Sequence, residues 1–259
     1  MELLNKQDRK RVLAFALFAG EVMLTNGAET YRVEDTIRRI CTSRGLSYVT
    51  SFVTPTVIMI GDDRHDGYSF MKRIAKRSTN FERISMVNSV SRDFVSGQKT
   101  LEEAHRELRA ISAKTSYSVP VRIIWCGLAS SMFAYLFGGT VSDMICGFLV
   151  SMLAIQVGFI LDGYDVNQFL MNSICSALIA FFAVVLSTLG LGENRDMIIA
   201  AAIMPQLPGF SLTNGLRDFI EGDLISGVSR AFEAFLIAVS IAVSIGSVLT
   251  LFHRFGGGM

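Results

Sequence analysis

Five apolar windows follow Pro120 and constrain the fold of this 259-residue chain more than any other feature. They run Val121–Gly138, Val141–Leu161, Gln168–Gly190, Met197–Thr213 and Ala231–Phe252. Most approach the ~20 residues with which a helix crosses a hydrocarbon core about 30 Å thick. The linkers between the first three windows are only a few residues long, and a helix satisfies its own backbone in lipid. A large soluble bundle would show polar faces at a helical period of about 3.6 residues. Leu178–Leu186 and Phe235–Leu249 offer only apolar residues, glycine and small hydroxyls. The pattern predicts five spanning helices.

Charge divides the chain at the same place. Of 24 Lys and Arg, 19 lie in residues 1–120 with 14 of the 23 acids, so this part carries +5 and the remainder −4. The expected fold is a small cytoplasmic α+β domain over residues 1–117, then a five-helix α-helical transmembrane bundle over 118–259. A basic first part retained inside places the carboxyl terminus in the periplasm after an odd number of crossings, with the loop Asn214–Arg230 in the cytoplasm. Lys6, Arg9, Lys10 and Arg11 ahead of Val12–Ala19 imitate a signal peptide. The charged, globular pattern that follows reads instead as the continuation of a core helix.

Within the first part, residues 7–25 predict a helix closed by Asn26-Gly27, and residues 28–44 a second with Val33, Ile37, Ile40 and Cys41 on one face. Residues 46–54, 56–61 and 68–74 read as strands, the last two joined by a polar turn containing Asp62, Asp63, His65 and Asp66. Residues 81–96 return to helical spacing. Thr100 and Glu103 form a capping box for a further helix carrying Leu101, Ala104, Leu108 and Ile111.

Chemistry-bearing motifs are sparse. The histidines are His65, His105 and His253, and no H-E-x-x-H, G-x-S-x-G or Walker loop is present. Cys41, Cys126, Cys146 and Cys175 lack C-x-x-C spacing and read as small apolar residues. No catalytic residue, cofactor, metal or nucleic-acid partner is expected. A membrane-tethered hydrolase with its site in the first part, or a regulatory subunit, stays open as the alternative reading.

Three stretches, Asn26–Ile40 (NGAETYRVEDTIRRI), Ser51–Ile60 (SFVTPTVIMI) and Pro205–Ala234 (PQLPGFSLTNGLRDFIEGDLISGVSRAFEA), together resemble the threonine/serine exporter family of bacterial inner-membrane proteins. The resemblance covers nearly the whole chain. It implies the longer subunit of a split exporter, a cytoplasmic domain plus five spans, working as a hetero-oligomer with a short five-span partner in the lipid bilayer. The implied activity is export of a small carboxylate metabolite, threonine/serine or a dicarboxylate such as succinate, driven by the proton-motive force.

Pro205 and Pro208, with Gly209, interrupt the fourth window, and prolines in a membrane helix free carbonyls of the preceding turn. Such breaks serve transporters as binding sites for carboxylates and cations. With that activity in view, Pro205, Pro208, Gly209, Ser211, Thr213 and Asn214 are expected to line the substrate route, the alternative being a packed, kinked helix. Gln156 and Asn172 are the intramembrane amides, expected to face protein and to bind substrate or a neighbouring helix. Glu233 is the candidate for proton coupling, the alternative being an ion pair with Arg230. The cluster Glu29, Arg32, Glu34 and Asp35 reads as a solvated salt bridge on spacing alone. Its place in a family stretch suggests a gating interface against Arg217, Asp218, Glu221 and Asp223.

Overall fold

The computed structural model describes residues 5–62, 67–114 and 117–255. Asp63, His65 and Asp66 of the polar turn lie outside them. The chain forms two compact units, Met1–Thr115 with Leu212–Ala231, and Ser116–Ser211 with Phe232–Met259.

The first unit opens with α1 (Lys6–Thr25), whose cap Asn5 accepts the Asp8 amide. The basic start does not make this helix a surface element: Leu13, Phe15 and Met23 are wholly buried or nearly so. Gly20 lets α1 close on α2 (Thr30–Ser43), since a Cβ there would fall 2.9 Å from Ile37 Cδ1. The turn between them needs Gly27, whose φ is +94°. The second helix starts later than expected because Glu29 stays extended as its cap.

Strands β1 (Val49–Thr54), β2 (Val57–Asp62) and β3 (Tyr68–Arg73) follow as an antiparallel sheet in the order β1-β2-β3, with Ser51 opposite Ile60 and Ile60 opposite Phe70. Alternation along β2 turns Ile58 and Ile60 into the core. Helix α3 (Phe81–Val95) contributes Phe94 and α4 (Leu101–Ala113) contributes Leu108 to the same core. The predicted capping box at Thr100 and Glu103 is present.

The expected loop Asn214–Arg230 is helical. Helix α9 (Gly209–Ile220) turns at Gly222, φ +88°, into α10 (Leu224–Phe255), and Asp223 accepts the Ser226 amide at its start. Two glycines let the helices touch. A Cβ on Gly215 would lie 3.2 Å from the Ala231 nitrogen, and one on Gly227 2.8 Å from the Phe219 ring.

The second unit holds α5 (Val119–Leu136, Pro120 in its first turn), α6 (Val141–Gly163) and α7 (Gln168–Thr188). These three and α10 are the four described helices long and apolar enough to cross a membrane. Small residues set the packing: Ser130 donates to Ser151 at 2.8 Å, and Gly147 faces Ala134 and Ala201. The window Met197–Thr213 is not a fifth continuous helix. It is divided into α8 (Arg195–Ile203), a 3-10 turn Met204–Gln206, extended Leu207 and the start of α9. The two prolines account for the division.

Candidate functional site

The break in the second unit differs from the expected exposure of carbonyls. Pro205 and Pro208 cannot bond the carbonyls four residues back, those of Ala201 and Met204. The chain recovers both by tightening: the Met204 amide donates to Ala201, and the Leu207 amide to Met204 at 3.3 Å. Side-chain amides are left over instead. Ser176, near the middle of α7, donates to Gln206 Oε1 at 3.1 Å. Gln206 Nε2 and Asn172 Nδ2 are buried and find no acceptor among the described residues. Asn172 lies one helical turn before Ser176, on the same face, and is 5% exposed.

The other expected pathway residues differ in exposure. Pro205, Pro208 and Ser211 are half-buried, Gly209 and Thr213 exposed. Gln156, expected to face protein, is exposed on α6. Glu233 is half-buried on α10. Asn214 belongs to the first unit, because it shares one face of α9 with Arg217 and Asp218.

That face grips the turn between α1 and α2. Asn214 Nδ2 donates to the Gly27 carbonyl at 3.1 Å, and Arg230 to that of Ala28 at 3.0 Å. Thr30 donates to Asp218 Oδ1 at 2.7 Å, and Asp218 Oδ2 lies 3.0 Å from Arg230 Nε. Arg217 donates to Glu29 Oε1, while Arg32 holds the other oxygen at 3.3 Å. Two of the stretches singled out in the sequence thus meet residue by residue in one polar junction. Glu34 stands apart, accepting the Val53 amide of β1 at 2.9 Å; Glu221 is exposed, and Asp223 caps α10. Asp35 pairs with Arg38 and Arg39.

Burial disfavours the charge on both junction carboxyls, and their partners decide the outcome. Burial works against the Glu29 charge, yet its own backbone amide, the Arg217 hydrogen bond and the charges of Arg32 and Arg217 outweigh it and hold the carboxyl below the usual glutamate range. Asp218 goes the other way: burial, with Asp223 adding, raises it against the pull of Thr30 and Arg230. Burial likewise raises Glu34.

Sequence reasoning missed Ser176, Gln206 and Thr30 as site residues, and treated Arg230 only as a partner for Glu233. A usable signal existed for the first two: Asn172 and Ser176 are spaced i, i+4 in an apolar helix, and Gln206 stands between the prolines. Thr30 had none.

A family model described as "Putative threonine/serine exporter" matches residues 14–252. The "Threonine/serine exporter" of Corynebacterium glutamicum is 24% identical over 255 residues, covering 95% of this chain and 52% of that protein. The "Probable threonine/serine exporter" of Mycobacterium tuberculosis is 22% identical, covering 91% of this chain and 45% of that protein. The chain therefore spans about half the length of these two relatives. The "Probable succinate transporter subunit YjjP" of Escherichia coli is 22% identical and covers 96% of this chain and 97% of that protein. No solved structure matches.

Proposed function

Because this multi-pass membrane protein belongs to the threonine/serine exporter family, we propose that it is one subunit of an inner-membrane exporter of small carboxylate metabolites. The observation that carries this reading is the divided segment from α8 to α9, whose Gln206 accepts from Ser176 of α7 and keeps, as Asn172 of α7 does, a buried amide donor without an acceptor among the described residues. A seam of this kind is where transporters admit a polar cargo to a helix bundle. In this reading α8, the 3-10 turn and the first residues of α9, up to Ser211, make up a broken crossing, the fifth beside α5, α6, α7 and α10, and the rest of α9 lies with the first unit.

The cargo is threonine, serine or a dicarboxylate such as succinate, after the names of the relatives. Energy comes from the proton-motive force, with Glu233 as the coupling group. The excess of Lys and Arg before Pro120 supports a cytoplasmic first unit and a periplasmic carboxyl terminus. The junction on Glu29, Thr30, Asp218 and Arg230 serves as the cytoplasmic gate.

A second membrane subunit with five spans completes the exporter. Two observations support it: near-complete mutual coverage with a chain named as a transporter subunit, and the exposed Gln156 on α6. An amide facing hydrocarbon is costly, and a partner helix would satisfy it. The test is efflux from proteoliposomes loaded with serine, threonine or succinate, carrying the chain with and without its companion. Efflux of at least one of these acids that needs both chains and fails on collapse of the proton gradient is expected. Retention of all three by the complete pair would overturn the reading.

A further inference from the structure

Resting on the export reading, we propose that Asn172 and Gln206 form the seat for a carboxylate of the transported metabolite, with Ser176 as the residue that positions Gln206. Both amides offer nitrogen donors, buried and without an acceptor among the described residues. The Ser176 hydroxyl occupies Gln206 Oε1, which fixes that amide with its donor end turned elsewhere. A ligand group that suits two such donors must bring acceptors. An ionised carboxylate does so, with lone pairs enough for both. An ammonium group brings only donors and is turned away.

The charge balance of the bundle agrees. No Lys or Arg stands between Arg122 and Arg195, nor between Arg195 and Arg217. A carboxylate entering at the level of Ser176 is therefore met by dipoles instead of a fixed cation. Hydrogen bonds to an ionised acceptor are stronger than neutral ones, and a low local dielectric strengthens them further. Binding by neutral amides still leaves the cargo free to depart, as conduction through a pore requires. The Ala201 and Met204 carbonyls, which Pro205 and Pro208 would have freed, are re-bonded within the turn, and the side-chain amides are the donors left without an acceptor among the described residues.

The seat is read directly from the side-chain amides of the full chain in lipid nanodiscs, labelled with 15N. Assignment comes from the near-isosteric variants Asn172→Asp and Gln206→Glu. Serine, succinate and ethanolamine, which is the serine skeleton without its carboxylate, are the probes. The Asn172 and Gln206 signals are expected to move with serine or with succinate and to ignore ethanolamine, and the acid that moves them identifies the source of the carboxylate. Signals that ignore both acids, or follow ethanolamine equally, overturn the proposal.

In the efflux assay, each variant exchanges a donor for a repelling acceptor and should raise the KM for the exported acid about tenfold or more at equal membrane abundance. An unchanged KM in both variants places the carboxylate elsewhere while leaving the export reading intact. Failure of the unaltered pair to export any of the acids counts against that reading alone, and the amide signals then still decide the seat.

Discussion

Asp218 Oδ2 on α9 and Arg230 Nε on α10 stand 3.0 Å apart, with side chains 0% and 6% exposed. The contact is close but off the hydrogen-bond axis, so it acts as an ion pair; directed bonding comes from Thr30 to Asp218 and from Arg230 to the Ala28 carbonyl. Removing one member of such a pair strands a buried charge and costs about 3–5 kcal/mol, whereas removing both costs far less. Arg230→Met alone, which strands the buried Asp218 carboxylate, is therefore expected to destabilise the full chain strongly, and Asp218→Leu with Arg230→Met to recover much of the loss. A double-mutant cycle on unfolding in detergent checks this. A coupling energy indistinguishable from zero contradicts it.

The two carboxyls of the junction give opposite pH slopes. Glu29 is held below its ordinary range in the folded chain, so its contribution is present above that range and is lost as the pH falls through the depressed value. Asp218 is raised, so the folded chain binds its proton more readily, and its burial penalty is relieved as the pH falls through the raised value. Acid weakening of the junction is thus assigned to Glu29. Hydrogen exchange at residues 26–30 across an acid titration should show protection falling in the unaltered chain. The same titration of Glu29→Gln should lose most of that slope, and that of Asp218→Asn should keep it.

The junction also marks where the sequence stopped being legible. Elements of the first unit were readable to within a few residues because each has its own local signal: Asn26-Gly27 for the turn, β-branched runs for the strands, Thr100 with Glu103 for α4. The sequence puts Asn214, Arg217, Asp218, Glu221 and Asp223 in a cytoplasmic loop, and only the family stretch, not their spacing, sets the last four against Glu29 and Arg32. They are helical, and Asn214, Arg217 and Asp218 turn toward a backbone turn nearly two hundred residues away in sequence, at Gly27, Glu29 and Thr30. No periodicity announces such a partner. At the break, the prolines were legible as an interruption, but recapture of the Ala201 and Met204 carbonyls depends on a 3-10 turn that composition does not specify.

That turn gives the third prediction. Proline inside a helix costs about 3 kcal/mol, so restoring two amide donors by Pro205→Ala with Pro208→Ala favours a continuous α-helix from Arg195 onward. The change from a 3-10 to an α period rotates residue 206 about the helix axis and withdraws Gln206 from Ser176. Helix content by far-ultraviolet circular dichroism should rise, and efflux should fall severalfold at equal membrane abundance. Undiminished efflux from a chain with the extra helix would separate the break from transport.

The last prediction concerns the acid that the fold uses most completely. Asp143 is wholly buried at the start of α6. One carboxylate oxygen accepts the Glu193 and Asn194 amides, both at 2.9 Å, and the other accepts the Thr140 amide at 3.0 Å and the Thr140 hydroxyl at 3.1 Å. It caps its own helix and pins the connection from α7 to α8. Asn at this position presents an NH2 group to one side or the other: turned one way it leaves the Glu193 and Asn194 amides facing a donor, and turned the other way it leaves the Thr140 amide facing one. Each buried donor left unsatisfied costs about 1–3 kcal/mol. Asp143→Asn should lower the unfolding temperature in detergent, and Asp143→Glu should lower it too, because an extra methylene moves the carboxylate off the donors that hold it. Gly139 and Gly192 give the carboxylate its space: a Cβ on Gly139 would lie 3.2 Å from Asp143 Cβ, and one on Gly192 3.4 Å from Asp143 Oδ1. Since α8 leads directly into the divided segment, loosening this anchor should also raise hydrogen exchange at residues 195–203, while residues 26–30 keep their protection. Equal loosening of both stretches would show that Asp143 acts on the fold as a whole and has no particular hold on α8.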